Sequence, residues 1–123
     1  MYEKEVLLFR VKAWAAKDEE IEGTFTAMAG ASPWAGRLIP RYGVIVFATP
    51  NEITILRAGR WQHLAPVSVE ARLARSTPVG PLKGLCWKEA LGLSAYMGIR
   101  VFVHRKWREE IDRIDRRRWR RVD

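Results

Sequence analysis

The chain has 123 residues, of which 48% are hydrophobic, and it carries a net charge of +8 with an isoelectric point near 10.3. This length corresponds to one domain with enough apolar residues for a core, and the single cysteine, Cys86, excludes an internal disulfide. The absence of a long apolar run and of a secretory signal leads us to expect a cytoplasmic protein.

The N-terminal segment, residues 3–17, has the pattern of an amphipathic helix. Leu7, Val11 and Trp14 are spaced i, i+4 and i+7, which places them on one helical face. Residues 9–12 also alternate between apolar and basic, as a strand would. We favour the helix and leave the strand open. The acidic residues at 18–20 mark a boundary after it.

Two β-favouring runs, residues 44–48 and 53–57, are separated by turn formers and predict an antiparallel hairpin. The first run is apolar on both faces, so we expect it near the centre of a sheet. Further strands are predicted at residues 21–28, 67–73 and 99–103. In the second of these the inward positions are Val67, Val69, Ala71 and Leu73. Residues 85–87 and 91–97 are interpreted as short extended pieces.

A C-terminal helix is predicted over residues 107–117. Trp107, Ile111 and Ile114 fall on one face, with charged residues between them. We expect this face to close one end of the strand assembly and Glu110 to be exposed. The order of elements predicts a mainly β protein with flanking helices: about seven antiparallel strands in a barrel or sandwich, closed by an amphipathic C-terminal helix.

This arrangement resembles the PH-like superfold, and specifically small PH-like proteins of actinobacteria and their phages. The resemblance is carried by VIVFATPNEITIL at residues 44–56, ARLAR at 71–75, VGPLKG at 79–84 and IRVFVHRKW at 99–107. It covers residues 18–115, with an N-terminal helix or extension at 1–17 and an Arg-rich tail at 116–123. The resemblance implies a partly open barrel of two packed sheets whose end the helix plugs.

The same resemblance implies a binding module and not an enzyme. PH domains that bind phosphoinositides carry clustered Lys and Arg in the loop between the first two strands. In this chain that loop begins at residue 29 and has no basic residue before Arg37. The departure argues against phosphoinositide binding. Bacterial PH-like domains resemble units of protein interaction or oligomerisation, so we expect a protein partner or self-association.

Catalytic, cofactor and metal-binding signatures are missing from the sequence. No phosphate-binding glycine loop, nucleophile elbow or zinc-protease motif occurs. His63 and His104 are far apart and have no partners at ligand spacing. The acidic residues 18–22 have the chemistry to chelate a hard cation, but a solvated boundary is the better interpretation. We therefore expect no enzyme activity, no cofactor, no metal and no small-molecule substrate.

Three residues in loops are candidates for contact with a protein partner: Trp34, Arg37 and Trp61. Trp34 lies in a loop rich in Gly and Pro, where a large aromatic side chain is a natural anchor for a partner. The alternative is that Trp34 covers the end of the barrel.

The tail is the sharpest charge feature of the sequence. It contains Arg116, Arg117, Arg118, Trp119, Arg120 and Arg121. Arg binds phosphate through two hydrogen bonds, and Trp stacks on bases or lies at membrane interfaces. If the tail is functional, its partner is nucleic acid, an acidic protein face or an anionic membrane. The alternative is a solvated helix end, where cations suit the helix dipole.

Overall fold

Antiparallel strands dominate the computed structural model, which describes residues 2–15, 19–30, 41–58, 66–84 and 87–117. The helices are α1 (Tyr2–Val11), α2 (Leu91–Met97) and α3 (Arg108–Arg117), the last preceded by a single 3₁₀ turn at Arg105–Trp107. The strands are β1 (Gly23–Gly30), β2 (Arg41–Ala48), β3 (Glu52–Ala58), β4 (Pro66–Ala74), β5 (Leu82–Gly84), β6 (Trp87–Ala90) and β7 (Val101–His104).

The seven strands form one antiparallel sheet in the order β4-β3-β2-β1-β7-β6-β5. The prediction of a mainly β fold with a C-terminal helix is confirmed. The predicted hairpin is also confirmed, because Val44 to Ala48 of β2 pair with Arg57 to Ile53 of β3. Within the described residues β4 and β5 each pair with one neighbour only, and the sheet is not closed into a barrel.

The N-terminal half of β1 provides the seat for α3. All eight residues of β1 pair with β2, whereas only Met28 and Ala29 pair with β7. This leaves one edge of residues 23–27 without a strand neighbour, and α3 packs against β1. The predicted contact face is confirmed, since Trp107, Ile111 and Ile114 are all buried.

Gly23 is what allows this close approach. A Cβ atom at that position would lie 2.6 Å from Cγ1 of Ile114, well inside van der Waals contact. The indole N–H of Trp107 donates to the Thr26 hydroxyl at 3.0 Å, which satisfies a polar group that the packing buries. The helix is therefore docked by shape and by a hydrogen bond at the same surface.

The prediction that Glu110 is exposed is wrong. Its side chain is only 8% exposed, and its Oε2 accepts a 3.0 Å hydrogen bond from the backbone amide of Thr24 and a 2.8 Å bond from Arg113. The Thr24 amide belongs to the part of β1 that lacks a second strand neighbour. Glu110 thus replaces the carbonyl that a neighbouring strand would have supplied.

The predicted inward positions of β4 are only partly correct. Val67 and Val69 are 59% and 41% exposed, whereas Ala71 and Leu73 are half-buried. The pairing with β3 is irregular at two points, one beside Val69 and one beside Val67. Each bulge places an extra residue in β4 and interrupts the alternation of faces. Because β4 is also the last strand of the sheet, nothing described covers its exposed valines.

Of the two alternatives for the N-terminal segment, the structure shows the helix, which ends at Val11. The extended piece predicted at residues 91–97 is wrong, because Leu91–Met97 is the helix α2. Its Leu93 is buried, and the Leu93 amide donates to the carbonyl of Val79 at 3.1 Å. A Cβ on Gly92 would lie 2.2 Å from the carbonyl oxygen of Pro78, so this helix fits only with glycine there.

Polar contacts tie the C-terminal end of α3 to the segment that follows β4. The Asp115 carboxylate accepts from the amides of Val79 and Gly80, each at 2.9 Å. The buried Arg75 guanidinium donates to the carbonyl of Ile114 at 3.0 Å. The Arg75 guanidinium thus supplies a hydrogen-bond donor to a carbonyl at the end of α3, and the two amides supply donors to the Asp115 carboxylate.

The acidic run at the boundary has a structural role in the described residues. Glu22 accepts two hydrogen bonds from Arg75, at 2.9 and 3.0 Å, and Glu19 accepts one from Asn51 at 2.7 Å. These acids therefore anchor the chain before β1 to the residue that precedes β3 and to the residue that follows β4. Of the four acids in the run, Glu19 and Glu22 are paired and partly buried, Glu20 is exposed as a solvated boundary predicts, and Asp18 lies outside the described residues.

Candidate functional site

Two hairpins of the sheet turn at the same end. β1 ends at Gly30 opposite Arg41, where β2 begins, and β3 ends at Ala58 opposite Pro66, where β4 begins. We call this the loop end of the sheet. The segments 31–40 and 59–65, which connect these strands, are attached here.

The three candidate contact residues belong to those two segments. Trp34 and Arg37 lie in the first and Trp61 in the second, and all three are outside the described residues. What the topology shows is that their points of attachment lie at one end of the sheet. Two segments far apart in sequence are thereby brought to neighbouring strand ends.

A polar cluster of Tyr42, Arg57 and Glu70 occupies the same end, on three adjacent strands. The Tyr42 hydroxyl donates a 2.8 Å hydrogen bond to Oε2 of Glu70. The guanidinium carbon of Arg57 lies 4.0 Å from the centroid of the Tyr42 ring, in a cation–π arrangement. Arg57 and Glu70 are exposed and Tyr42 is half-buried, so the cluster faces solvent with its aromatic ring fixed on two sides.

The environment of the Tyr42 phenol favours its neutral form. Burial is the largest cause that raises the pKa of Tyr42 above its usual 10.0, and the hydrogen bond and charge of Glu70 raise it further. The positive charge of Arg57 acts in the opposite direction and lowers this pKa. The phenol therefore remains a neutral donor throughout the physiological range.

Two exposed valines of β4 are close to the cluster in the chain. Val67 and Val69, both exposed, flank Ser68, which pairs with Arg57, and Val69 directly precedes Glu70. Among the described residues β4 pairs only with β3, so its outer backbone groups face away from the sheet. The bulges and the proline at the start of β4 are devices that commonly restrain such an edge from indiscriminate pairing.

Other polar side chains of the molecule have the chemistry of metal ligands. Within the described part of the chain no group of three or more His, Cys, Asp or Glu side chains could hold a metal ion. His104 accepts a hydrogen bond from the Lys106 amide through Nδ1, and its ring meets that of Trp87 edge-on at 5.4 Å. His63 and Cys86 are outside the described residues.

The described start of the tail lies at the end of α3. Arg116 is exposed and Arg117 is half-buried, and they directly follow Ile114 and Asp115, whose contacts anchor the helix end. The remaining tail candidates, Arg118, Trp119, Arg120 and Arg121, are outside the described residues.

The sequence did not single out any member of the Tyr42 cluster. Tyr42 precedes an apolar strand, Arg57 ends the next one, and Glu70 lies in the middle of a third. The register of β2, β3 and β4 brings them together, and the bulge beside Glu70 could not be inferred from periodicity. The only pattern in the sequence that could have indicated the cluster is a tyrosine and an arginine at the facing ends of the predicted hairpin.

No protein-family model matches this chain, and comparison with curated proteins and with solved structures likewise found no match. In the described residues, none of the helices has the length and apolar character needed to cross a membrane.

Proposed function

We propose that this chain is a non-catalytic binding module that engages a protein partner, or a second copy of itself, through the loop end of its sheet. The observation that carries this proposal is the exposed Tyr42–Arg57–Glu70 cluster beside the exposed Val67 and Val69. Tyr, Trp and Arg are the residues most enriched among the energetic centres of protein interfaces.

The fixed geometry of the cluster favours binding. The Tyr42 ring is held by a cation on its face and by a hydrogen bond at its hydroxyl, so little rotational freedom remains to be lost when a partner covers it. An interface centre that is ordered beforehand binds more tightly than one that must be ordered on contact. The exposed valines supply apolar area beside it.

The resemblance to PH-like proteins supports the same class of function. The seven antiparallel strands and the C-terminal helix are in keeping with that resemblance, but the described strands form one open sheet and not the two packed sheets that it implies. PH-like domains of bacteria resemble interaction and oligomerisation units. The segments that contain Trp34, Arg37 and Trp61 join the sheet at its loop end, through the ends of β1 to β4.

The test compares two arginine variants of the full chain. Arg57→Ala removes a cluster member, whereas Arg72→Ala removes an exposed arginine of β4 that pairs with Glu52. Each tagged variant is used to recover partners from the source cell after nuclease treatment, and sedimentation equilibrium measures self-association. We expect Arg57→Ala, and likewise Val69→Asp, to weaken the recovered interaction at least about tenfold.

Arg72→Ala should retain that interaction within about twofold. Equal loss in the two arginine variants would show that net charge, and not the cluster, governs binding. Recovery of nothing after nuclease treatment, together with a monomer at all concentrations, would overturn the proposal.

A second candidate function is the binding of nucleic acid or an anionic surface through the tail. It is favoured by the firm anchoring of α3 at Ile114 and Asp115, from which Arg116 and Arg117 project at the helix end. Five arginines in phosphate contact would give log K a slope against log salt of about −4 to −5 on duplex DNA. Replacing Arg118, Arg120 and Arg121 by serine should flatten that slope by more than half.

A further inference from the structure

The charge of the described chain is divided between the two halves of the sheet. In residues 82–117, which form β5 to β7, α2 and α3, Lys and Arg outnumber Asp and Glu by nine to five. In the described stretches 19–30, 41–58 and 66–81, acids outnumber bases by five to four. The excess of positive charge in the described chain is therefore concentrated in residues 82–117.

Most acids of the basic half are committed to contacts within the fold. Glu110 is buried against Thr24, Asp115 accepts from two backbone amides, and Glu89 pairs with Arg100 at 3.2 Å. Only Glu109 and Asp112 remain as acids on the exposed surface of this half. The bases of the half thus dominate the field that a ligand would meet.

Five of those bases lie around the end of the sheet where β7 leads into α3. We call them the cationic rim: Lys83, Lys88, Arg105, Lys106 and Arg108. Lys88 of β6 pairs with Val103 of β7 on one side and with Gly84 of β5 on the other, and Lys83 directly precedes Gly84. The 3₁₀ turn begins directly after His104, at the same end of the sheet. The Lys88 ammonium donates to the Gly84 carbonyl at 2.9 Å, a neutral acceptor that leaves its charge uncompensated.

Two aromatic rings lie among these cations. Trp87 and His104 face each other across β6 and β7, with ring centroids 5.4 Å apart and planes perpendicular. Both side chains are half-buried, so part of each ring is accessible, and each ring is followed in the chain by a cation, Lys88 and Arg105. Cations that follow a phosphate backbone, interleaved with rings on which bases stack, are the combination used by proteins that bind single strands.

We propose that the cationic rim, with Trp87, binds single-stranded nucleic acid. The inference is independent of the loop-end proposal and uses none of the tail residues. An anionic membrane fits the rim less well, because no exposed large apolar side chain lies among described residues 82–90 and 101–108 to enter the lipid. A duplex offers phosphates but hides the base faces that Trp87 would stack on.

The test measures binding of a labelled oligothymidylate to the full-length chain by fluorescence anisotropy over a range of salt. Each phosphate contact with a single strand contributes about −0.7 to the slope of log K against log salt, so five contacts give up to about −3.5. Arg105→Gln combined with Arg108→Gln should flatten the slope by about 1.4. The matched control is Lys12→Gln with Arg72→Gln, which changes the net charge equally at exposed positions outside residues 82–117.

The stacking role of Trp87 has a separate variant. Trp87→Leu should weaken binding by about 5- to 150-fold with an unchanged salt slope, since stacking on one base is worth about 1–3 kcal/mol. Circular dichroism checks that Trp87→Leu is folded. If it is not, the Arg105→Gln, Arg108→Gln variant still tests whether the cationic rim binds the strand. All variants are repeated with Arg118, Arg120 and Arg121 replaced by serine, where the rim effect should persist.

The proposal is overturned by any of four results. The first is no salt-dependent binding of oligothymidylate. The second is equal flattening by the rim pair and by the control pair. The third is a rim effect that vanishes when the tail arginines are replaced. Binding of duplex DNA or anionic vesicles as tightly as the single strand would also reject it.

Discussion

Glu110 on α3 accepts a 3.0 Å hydrogen bond from the backbone amide of Thr24 on β1, across 86 positions of the chain. A side chain thus completes the hydrogen bonding of a strand edge that no other described strand covers. The carboxylate is buried but not isolated, because Arg113 donates to the same oxygen at 2.8 Å. The helix and the first strand are therefore linked by a contact that neither could form alone.

Glu110→Ala should lower the free energy of unfolding by about 1–3 kcal/mol, because it leaves a buried amide without an acceptor and Arg113 without its carboxylate. Urea titration measures the change. The control is Glu109→Ala at the exposed neighbouring position, which should stay within about 0.5 kcal/mol. Equal small effects from the two variants would contradict the docking contact.

Ile111→Ala should lower the free energy of unfolding by about 2–4 kcal/mol. The Ile111 side chain lies on the buried face of α3, and its truncation leaves a cavity. Asp112→Ala, at the exposed neighbour, serves as the matched control in the same urea titrations. If Ile111→Ala proved as mild as Asp112→Ala, α3 would not be docked on the sheet in solution.

Gly23→Ala should destabilise the fold by about 1–3 kcal/mol, because the added methyl would lie 2.6 Å from Cγ1 and 2.9 Å from Cδ1 of Ile114. Combining it with Ile114→Ala removes both clashing atoms. The double variant should then lose at least about 1 kcal/mol less than the sum of the two single losses. Strict additivity in this thermodynamic cycle would mean that the two residues are not in contact.

Tyr42 should titrate above pH 10 in the folded protein, because burial and Glu70 both raise its pKa. The folded state then retains a proton that the unfolded state releases near pH 10. The stability from this group is complete below pH 10 and declines as the pH rises through the folded pKa. Tyr42→Phe removes that decline.

The titration itself can be read from tyrosinate absorbance, as the difference between the wild-type chain and Tyr42→Phe. Glu70→Gln should move the pKa only part of the way back, since burial is the larger cause, whereas Arg57→Gln should raise the pKa further. A shift in the same direction for both variants would contradict the geometry of the cluster.

Much of the fold follows from patterns within short stretches. The unbroken apolar run of β2 and the turn formers after it predict the central hairpin, because a strand buried on both faces needs no polar alternation. The spacing of Trp107, Ile111 and Ile114 identifies the buried face of α3, since one face of a helix recurs every three or four residues. The local pattern of apolar residues was enough to predict an element wherever its burial followed that pattern along the whole segment.

Tertiary structure decided the features that depend on a distant partner. Leu91–Met97 is helical because Leu93 bonds to Val79 and Gly92 fits beneath Pro78, contacts invisible in a stretch of seven residues. Glu110 is buried because β1 offers it an amide, although its charge alone predicts exposure. Bulges and an edge position turn Val67 and Val69 outward.

The same distinction applies to the candidate site. Composition identified Trp34, Arg37 and Trp61 as residues for contact, but only the hairpin topology attaches their two segments at one end of the sheet. The Tyr42–Arg57–Glu70 cluster exists because three strands align in one register. The sequence by itself determined the central hairpin, the docking helix and the excess of positive charge. Which side chains meet was decided by the pairing of strands, because hydrogen-bond register and bulges depend on residues far apart in the chain.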